Sequence, residues 1–369
     1  MEQNKTIKIF HGPQHPGITG NMSVELDLEG ETIKKARTHV GYLHRGFEKL
    51  VERRTVIQAF TIVCRICVPE PDPNEENFAR CVEKLAGLDV SKKAQYIRVM
   101  VLEMGRIAAQ LLWMAGQSGS VGLGTVGQWS VFDRDLILDL FEKLTGGRVY
   151  HMYIYPGGVR RDIPENFLDE LENFLDYFEK KLPKYDAIFF DNASFKKRAM
   201  GVGVVNKDEA LKNGYTGQTL RGCGFKVDVR KDNPYLVYDE LDFDIPVFDG
   251  CDVYSRALVR RQEIKESIKI LRQVIKQMPK EGAIMQKLPK HRKFTLQKDD
   301  IYIASESARG EFGYYMAGDG SENIRRMQVR GPSLIHGFTL LENLLVGEEL
   351  SNVAMIMNSL GICPPEIER

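Results

Sequence analysis

Residues 97–115, IRVMVLEMGRIAAQLLWMA, carry the pattern that decides the fold. Apolar residues recur in this stretch at alternating spacings of four and three, which is the period of an α-helix that buries one face in a core. Further helices are predicted at about 132–144, 165–181 and 254–277. The members of the stripe are Ile97, Val101, Met104, Ala108, Leu111 and Ala115. The pattern predicts that the centre of the chain is a helical bundle.

Both ends of the chain show the alternation of β-strands instead. Residues 6–10 and 21–28 alternate polar and apolar side chains before a turn at 29–31, and 300–330 alternates again as a hairpin. The predicted fold class is therefore α+β, a central helical bundle with a small N-terminal β module and C-terminal β elements. The predicted domains are 1–47, the β module; 48–280, the helical core with an irregular insertion at about 190–250; and 281–369, a loop, a hairpin and a docked C-terminal tail.

Composition excludes several classes of function. The 51 lysines and arginines balance 51 aspartates and glutamates, so no overall charge attracts nucleic acid, and we expect none as a partner. The polar start lacks the pattern of a secretory signal, and six scattered cysteines suit a reducing compartment, so a cytoplasmic location is expected. Residues 107–132 are uncharged and exceed the roughly 20 residues that a bilayer requires. Three glutamines and many glycines there favour a buried helix followed by a glycine-rich loop.

Two cysteine segments carry candidate chemistry. Cys64 and Cys67 have the CxxC spacing, which places two thiolates on one metal or forms a redox pair. A single CxxC is a weak signal, and buried cysteines that pack as small apolar residues are the alternative. The C-terminal segment 359–369 is apolar up to Cys363 and a rigid Pro-Pro, which predicts a docked tail. A docked Cys363 could meet Cys67.

The histidines of residues 11–16 (HGPQHP) are the third candidate. His11 and His15 could bind metal or carry protons, or they could be loop residues satisfied by backbone groups. Gly201 and Gly203 are not a dinucleotide fingerprint, because the third glycine and the strand-to-helix context are missing.

Six segments, in order along the chain, resemble the large, D-type subunit of NADH-quinone oxidoreductase and its relatives among membrane-bound [NiFe] hydrogenases. They are 11–16 (HGPQHP), 41–49 (GYLHRGFEK), 94–98 (AQYIR), 157–162 (GGVRRD), 306–311 (ESARGE) and 329–333 (VRGPS). Four more are most similar to the large subunit of membrane-bound sulfane sulfur reductases: 65–72, 127–129, 154–158 and 363–366.

The resemblance implies a [NiFe]-hydrogenase large-subunit-like bundle, peripheral on the cytoplasmic side of the cell membrane. The expected partners are an iron-sulfur small subunit, further hydrophilic subunits and antiporter-like integral membrane subunits. No cofactor is expected on this chain alone, since the relatives' [4Fe-4S] cluster lies in the adjacent small subunit. Reduced ferredoxin is the expected electron donor, and ion translocation the expected coupled process.

Departures from the relatives' motifs decide the expected chemistry. Hydrogenase large subunits hold nickel and iron with two pairs of cysteines. Here Cys67 and Cys363 keep one thiol of each pair, whereas Glu70 and Glu366 take the other two positions. Two thiolates and two carboxylates match a soft four-thiolate site poorly, so neither a metal nor hydrogenase activity is expected.

Quinone-reducing relatives carry a histidine, a tyrosine and an aspartate where this chain has Thr19, Val68 and Ser120. Quinone or another lipophilic carrier is therefore the second hypothesis, and a mainly structural coupling scaffold is the third. Of the relatives' histidine pair near the terminal cluster, His151 survives as the residue expected to tune that cluster.

The first hypothesis is reduction of a sulfur-sulfur bond in polysulfide by Cys67 and Cys363, which face each other opposite the cluster. Glu70, Glu366 or His15 would supply protons. Arg65 would stabilise the thiolates and bias the cluster towards reduction. A vestigial site, in which the two cysteines only pack, is the alternative.

Overall fold

The N-terminal β module is a three-stranded antiparallel sheet in the order β1-β2-β3. The computed structural model describes residues 6–15, 20–290 and 293–369. The strands are β1 Ile7–His11, β2 Ser23–Glu29 and β3 Thr32–His39. Every second residue of this part of β2 points into the core, as the period of two requires: Val24, Leu26 and Leu28. The predicted module is confirmed, and a third strand completes it.

Five helices follow and build the first half of the bundle. They are α1 Phe47–Val51, α2 Val56–Val63, α3 Pro71–Ala86, α4 Lys92–Ser120 and α5 Gly124–Thr145. Pro71 stands at the first position of α3, where its missing N–H costs nothing, and Gly87 ends that helix with φ 64°. The hydroxyl of Ser91 accepts the N–H of Ala94 and starts α4.

The central helix α4 is buried on more than its apolar stripe. Arg98, Glu103, Arg106 and Gln110 are buried as well, because α3, α5 and α11 (Val253–Gln277) pack around α4. By length and composition α4 could cross a membrane, yet 78% of its most apolar 18-residue window is buried inside the protein. A core helix shows the same properties, so this is weak evidence for a membrane span.

The glycine-rich loop expected before residue 132 is mostly helix, and this part of the prediction is wrong. Helix α5 begins at Gly124 rather than near residue 132, and the connection spans 121–123. A Cβ on Gly127 would lie 3.2 Å from the carbonyl oxygen of Ala115, so glycine here allows two helices to approach closely. The glycine that indicated a loop serves a helix contact.

The second half of the bundle contains a long helix pair joined by short elements. A two-residue hairpin pairs β4 with β5, and α6 continues into a wider π-helical turn at 186–190. The predicted insertion at about 190–250 consists of four short helices and one 3₁₀ turn. The elements are β4 Ile154–Tyr155, β5 Gly158–Val159, α6 Phe167–Tyr185, α7 Ala193–Ala199, α8 Lys207–Lys212, α9 Gln218–Arg221, α10 Val229–Asp232, the 3₁₀ turn Tyr238–Glu240 and α11.

The C-terminal region contains a second three-stranded antiparallel sheet, so a third strand extends the predicted hairpin. After it, the chain returns to the bundle, and Cys363, Glu366 and Ile367 of the last segment are buried. The predicted docking of the tail is confirmed. The elements are β6 Asp300–Ser307, β7 Gly310–Ala317, β8 Arg326–Arg330, α12 Pro332–Ile335, α13 Leu341–Leu345, α14 Val353–Leu360 and α15 Pro364–Glu368, with a π-helical turn at 336–340 and a 3₁₀ turn at 350–352.

The core consists of two apolar clusters. The larger joins the N-terminal sheet to α4, α5, α6, α11 and α14, and the smaller joins α1, α2 and α3 to the C-terminal sheet. Ile66, beside Cys67, belongs to the smaller cluster, and Ile362, beside Cys363, belongs to the larger. The two candidate cysteines therefore meet where the clusters adjoin. The α+β class is confirmed, and the domain boundaries at 47 and 280 stay predictions.

Candidate functional site

Two thiols from opposite ends of the chain meet in the interior. Cys67 lies in the connection between α2 and α3, and Cys363 immediately precedes α15. Both side chains are buried. Their sulfur atoms and a carboxylate oxygen of Glu366 all lie within 4.8 Å of one another, and the two thiols share a hydrogen bond. The predicted meeting of Cys67 and Cys363 is confirmed.

Arg309 is the cation of this site, and sequence reasoning missed it. Its Nη2 lies 2.6 Å from Cys67 Sγ and 2.9 Å from Glu366 Oε2. Its Nε donates to Glu70 Oε2 at 3.0 Å. These contacts connect the two candidate carboxylates and the thiols through one guanidinium. We call Cys67, Cys363, Glu70, Glu366 and Arg309 the thiol site.

The turn between β6 and β7 holds Arg309 in place. The N–H of Arg309 donates to Ser307 Oγ at 3.2 Å, and that hydroxyl donates to the carbonyl oxygen of Gly310 at 2.9 Å. Gly217 packs against this turn so closely that a Cβ there would lie 2.6 Å from the carbonyl oxygen of Arg309. The guanidinium is therefore fixed by local backbone geometry as well as by its ion pairs.

The electrostatics favour a single negative charge on the thiol pair. The hydrogen bond from Cys67, together with the guanidinium of Arg309, lowers the pKa of Cys363 to about 6. Burial, and the same hydrogen bond, raise the pKa of Cys67 above its ordinary value. The shifts are opposite because one proton lies between two sulfur atoms. The opposite shifts favour a pair with one thiolate, at Cys363, and one thiol, at Cys67.

Glu366 is positioned to exchange a proton with this pair. Burial raises its pKa to about 7, although Arg309 acts in the opposite direction. Its Oε1 accepts the N–H of Ser333 at 2.8 Å, which orients the carboxyl group. A group that titrates near neutrality beside a thiolate suits general acid catalysis.

The residues do not fit the nickel and iron of the hydrogenase relatives. Cys67, Cys363 and Glu366 form a group with the spacing of metal ligands. However, Arg309 already contacts Cys67 and Glu366, so a bound cation would face a buried guanidinium. Two thiolates also fall short of the four that such a centre takes. In this chain the positive charge beside the thiols comes from the guanidinium of Arg309 instead of from a metal ion.

Cys64, the other cysteine of the CxxC, has different surroundings. Its Sγ lies 3.8 Å from the carbonyl oxygen of Thr61, and burial raises its pKa to about 12. Arg65 contacts Cys64 rather than Cys67. Its Nη1 lies 3.4 Å from Cys64 Sγ, and its guanidinium lies over the ring of Tyr150. The role of Arg65 at the thiolates stays a prediction, while the contact with Cys67 is made by Arg309.

His151 is buried in a small polar cluster at the start of α3. Its Nδ1 lies 2.7 Å from Asp72 Oδ1, and its ring stacks on Phe141 with centroids 4.0 Å apart. Burial lowers the pKa of His151, but the carboxylates of Asp72 and Glu75 and its hydrogen bonds together raise it overall. Residues 150–152, which contain His151, also contact Arg65. The two residues predicted to lie near an iron-sulfur cluster thus share one region.

The remaining predicted positions lie outside the thiol site or outside the described residues. His15 is exposed in the turn after β1, and its ring centroid is 3.9 Å from that of His11. Thr19 lies outside the described residues. Val68 is an exposed apolar side chain, and Ser120 Oγ donates to the carbonyl oxygen of Gln117.

Known proteins are similar to this chain over most or all of its length. Residues 120–369 match the family model for the respiratory-chain NADH dehydrogenase, 49 Kd subunit. The D-type subunit of NADH-quinone oxidoreductase from Thermosipho melanesiensis is 43% identical over 371 residues, covering 98% of this chain and 99% of that protein. Its counterpart from Wolbachia pipientis subsp. Culex pipiens is 35% identical over 392 residues and covers 100% of both.

A solved structure is similar over its whole length. One chain of the membrane-bound sulfane sulfur reductase, an archaeal respiratory membrane complex, matches with a TM-score of 0.96 and 42% sequence identity over 100% of both chains. At this level of identity the likeness extends beyond the fold.

Proposed function

Because the chain belongs to the family of the 49 kDa, D-type subunit of NADH-quinone oxidoreductases, we propose that it is the sulfur-reducing large subunit of a membrane-bound respiratory complex. The proposal rests on one observation. Cys67 and Cys363 form a buried pair, and Arg309 contacts the two carboxylates beside that pair. The similarity to a chain of the sulfane sulfur reductase supports it. This subunit would lie peripherally on the cytoplasmic face of the membrane, and the complex would take electrons from reduced ferredoxin.

The reaction begins at Cys363. Its thiolate attacks a sulfane sulfur, so that a bond forms between Cys363 Sγ and that sulfur while the substrate's sulfur-sulfur bond breaks. The electron pair of the broken bond stays on the departing sulfur, which takes a proton from Glu366. Of the proposed proton sources, Glu366 has the favourable position, since a carboxylate oxygen of Glu366 lies within 4.8 Å of both sulfur atoms and burial raises its pKa to about 7.

Cys67 completes the cycle as the resolving thiol. It loses its proton and attacks Cys363 Sγ, which forms a Cys67–Cys363 disulfide and releases the second sulfur as a thiol or hydrosulfide. An iron-sulfur cluster of a neighbouring subunit would supply two electrons, which with two protons return the disulfide to two thiols. The sum is RSSR′ + 2e⁻ + 2H⁺ → RSH + R′SH. Arg309 stabilises the thiolate at each stage.

The test is to replace each thiol in the assembled complex. Cys67→Ala and Cys363→Ala should each lower the reduction of dimethyl trisulfide by at least about 1,000-fold, because each removes a reacting atom. Cys223→Ala, at a buried cysteine outside the thiol site, is the matched control. Unchanged subunit composition and iron-sulfur electron paramagnetic resonance signals show that assembly is intact.

Other outcomes identify the alternatives. Full sulfur reduction in both thiol variants would rule out the mechanism. If quinone reduction is present and insensitive to both variants, the lipophilic-carrier hypothesis replaces it. If neither reduction occurs in the wild-type complex, the scaffold hypothesis is favoured.

A further inference from the structure

Glu70 reaches the thiol site from the connection that precedes α3. It is 2% exposed, and each of its carboxylate oxygens accepts a hydrogen bond: Oε1 from the N–H of Ala308, and Oε2 from Nε of Arg309 at 3.0 Å. Ala308 and Arg309 are consecutive residues of the turn between β6 and β7. Glu70 therefore binds the backbone and the side chain of this turn at the same time.

The bond to Nε fixes the direction of the Arg309 guanidinium. A guanidinium is planar and rigid, so a contact at Nε restricts where the terminal nitrogens point. With Nε held by Glu70, Nη2 lies 2.6 Å from Cys67 Sγ and 2.9 Å from Glu366 Oε2. The contact with Glu70 thus helps to direct the cation at sulfur.

The backbone of Glu70 is held in turn by two buried side chains. Nδ2 of Asn74, one helical turn further along, donates to the carbonyl oxygen of Glu70 at 3.0 Å. Oδ1 of Asn74 accepts the hydroxyl of Tyr314 at 2.7 Å. Tyr314 belongs to β7, so the strand that follows the turn also holds the residue that binds the turn. We call Glu70, Asn74 and Tyr314 the arginine anchor.

The two carboxylates of the thiol site lie differently with respect to the sulfur atoms. Among the residues that the structure describes, Glu366 is the only one with a carboxylate oxygen within 4.8 Å of both sulfur atoms. Glu70 reaches the thiols through Arg309 instead. The contacts of Glu70 are those of a residue that orients a cation.

We propose that Glu70 is a positioning residue, which acts on the thiols through Arg309 and supplies no proton. Tyr314 and Asn74 hold Glu70, Glu70 holds Arg309 by its Nε, and Arg309 presents Nη2 to Cys67. This inference rests on the proposed function and adds a role for the arginine anchor.

The experiment compares Glu70→Gln with Glu70→Met in the assembled complex, with dimethyl trisulfide as the substrate. The amide oxygen of glutamine can still accept one of the two bonds, whereas methionine leaves both donors without their acceptor. We expect kcat/KM to fall by about 10-fold in Glu70→Gln and by about 100-fold in Glu70→Met. Neither side chain delivers a proton, so equal losses in the two variants would assign a proton to Glu70 and overturn the inference.

The Arg309→Met complex shows whether Glu70 acts through Arg309. Substitutions of residues that act independently multiply their effects on the rate, and substitutions within one chain of contacts do not. Adding Glu70→Met to Arg309→Met should therefore lower kcat/KM by less than about 3-fold further. A further loss of about 100-fold would contradict the inference.

Tyr314→Phe tests the far end of the arginine anchor. It keeps the ring and removes the hydroxyl that donates to Asn74, so kcat/KM should fall by about 3- to 10-fold. Tyr315→Phe is the matched control, because Tyr315 is the next residue of β7 and faces the other side of the sheet. It should stay within about 2-fold of the wild type. Equal values for the two variants would remove Tyr314 from the anchor.

A structural measurement separates this inference from the proposed function. Electron cryomicroscopy of the assembled wild-type and Glu70→Met complexes locates the Arg309 guanidinium without turnover. A guanidinium that has moved away from Cys67 Sγ in Glu70→Met supports the anchor, even if the wild-type complex does not reduce the trisulfide. A guanidinium that keeps its contact with Cys67 overturns it, even if both thiols prove to be catalytic.

Discussion

Two thiol pairs are buried in this protein, and they differ in what surrounds them. In the thiol site, Arg309 Nη2 points at Cys67 Sγ, and the pKa of Cys363 is lowered to about 6. In the second pair, Cys223 hydrogen-bonds to Cys251, but burial raises the pKa of Cys223 far above its ordinary value. Both pairs are buried and both contain a thiol-thiol hydrogen bond. Only their polar environments separate a reactive pair from an inert one.

The nearby arginine of the second pair is used differently. Arg256 donates to the carbonyl oxygens of Cys251 and Gly203 and to Ser359 Oγ, each at 3.0 Å. These N–H groups of Arg256 bond to oxygen atoms and not to the sulfur atoms of the pair. Burial without a cation bonded to the thiol pair raises the pKa of Cys223, whereas the hydrogen bond from Cys67 and the neighbouring guanidinium of Arg309 lower the pKa of Cys363.

Arg309→Met should have the largest effect on activity of the substitutions considered for the two thiol pairs. It removes the cation, so the environment of Cys363 approaches that of Cys223. We expect kcat/KM for dimethyl trisulfide to fall by about 1,000-fold, as when a preorganised donor to a developing anion is lost. Arg309→Lys keeps the charge without the forked geometry and should retain part of the activity. An assembled Met variant with the wild-type rate would contradict the role of Arg309.

Glu366→Gln should have the next largest effect. The amide keeps the size of the side chain and can still accept the N–H of Ser333, but it cannot deliver a proton. We expect steady-state sulfur reduction to fall by about 100-fold, the usual contribution of a general acid. Thermal unfolding of the complex serves as the control for structure. Unchanged turnover would assign the proton to another group.

The pH dependence of sulfur reduction tests whether Cys363 differs from Cys223 in its pKa. A lowered thiol pKa means that the Cys363 thiolate is present above about pH 6 and is lost below it. A raised carboxyl pKa means that Glu366 keeps its proton below about pH 7. The rate with the neutral trisulfide should therefore peak between these values and fall about 10-fold per pH unit beyond them. A profile whose acidic limb lies near pH 9 would show that the thiol is not activated.

Cys223→Ala should have the smallest effect on activity. Because Cys223 packs as a small apolar side chain, its loss should reduce the free energy of unfolding by about 1 kcal/mol. The rate of sulfur reduction should stay within about 2-fold of the wild type, since the thiol site is not touched. Denaturant titration and the trisulfide assay measure the two quantities. A large loss of activity with a small loss of stability would mean that the second pair is not inert.

The sequence predicted the bundle and the meeting of the two cysteines for identifiable reasons. Periodic apolar residues located α4 and α11, and the Pro-Pro after Cys363 indicated a tail held against the body. The spacing of apolar residues and the rigidity of proline are local properties of the chain, so they can be recognised from the sequence alone. The start of α5 was misplaced because Gly127 serves a helix contact, which only the packed structure reveals.

Arg309 could not be located by the same reasoning. It lies 242 positions from Cys67 in the chain, and its neighbours Ala308 and Gly310 carry no chemical signal. The segment 306–311 indicated the family, yet its role depended on a turn between strands whose tertiary position the pattern does not encode. Arg65 looked suitable because it lies two residues before Cys67 in the sequence, but its guanidinium contacts Cys64 instead.

The contact of Gly217 with the β6–β7 turn has a consequence for how natural variation should be interpreted. Gly217 has φ 61°, and a methyl group there would come 2.5 Å from Gly310 Cα, so even alanine would displace the turn. Alleles that alter this glycine would therefore displace Arg309 while leaving every residue of the thiol site unchanged. A survey of loss-of-function strains that inspected cysteines, acids and arginines alone would misclassify such alleles as neutral.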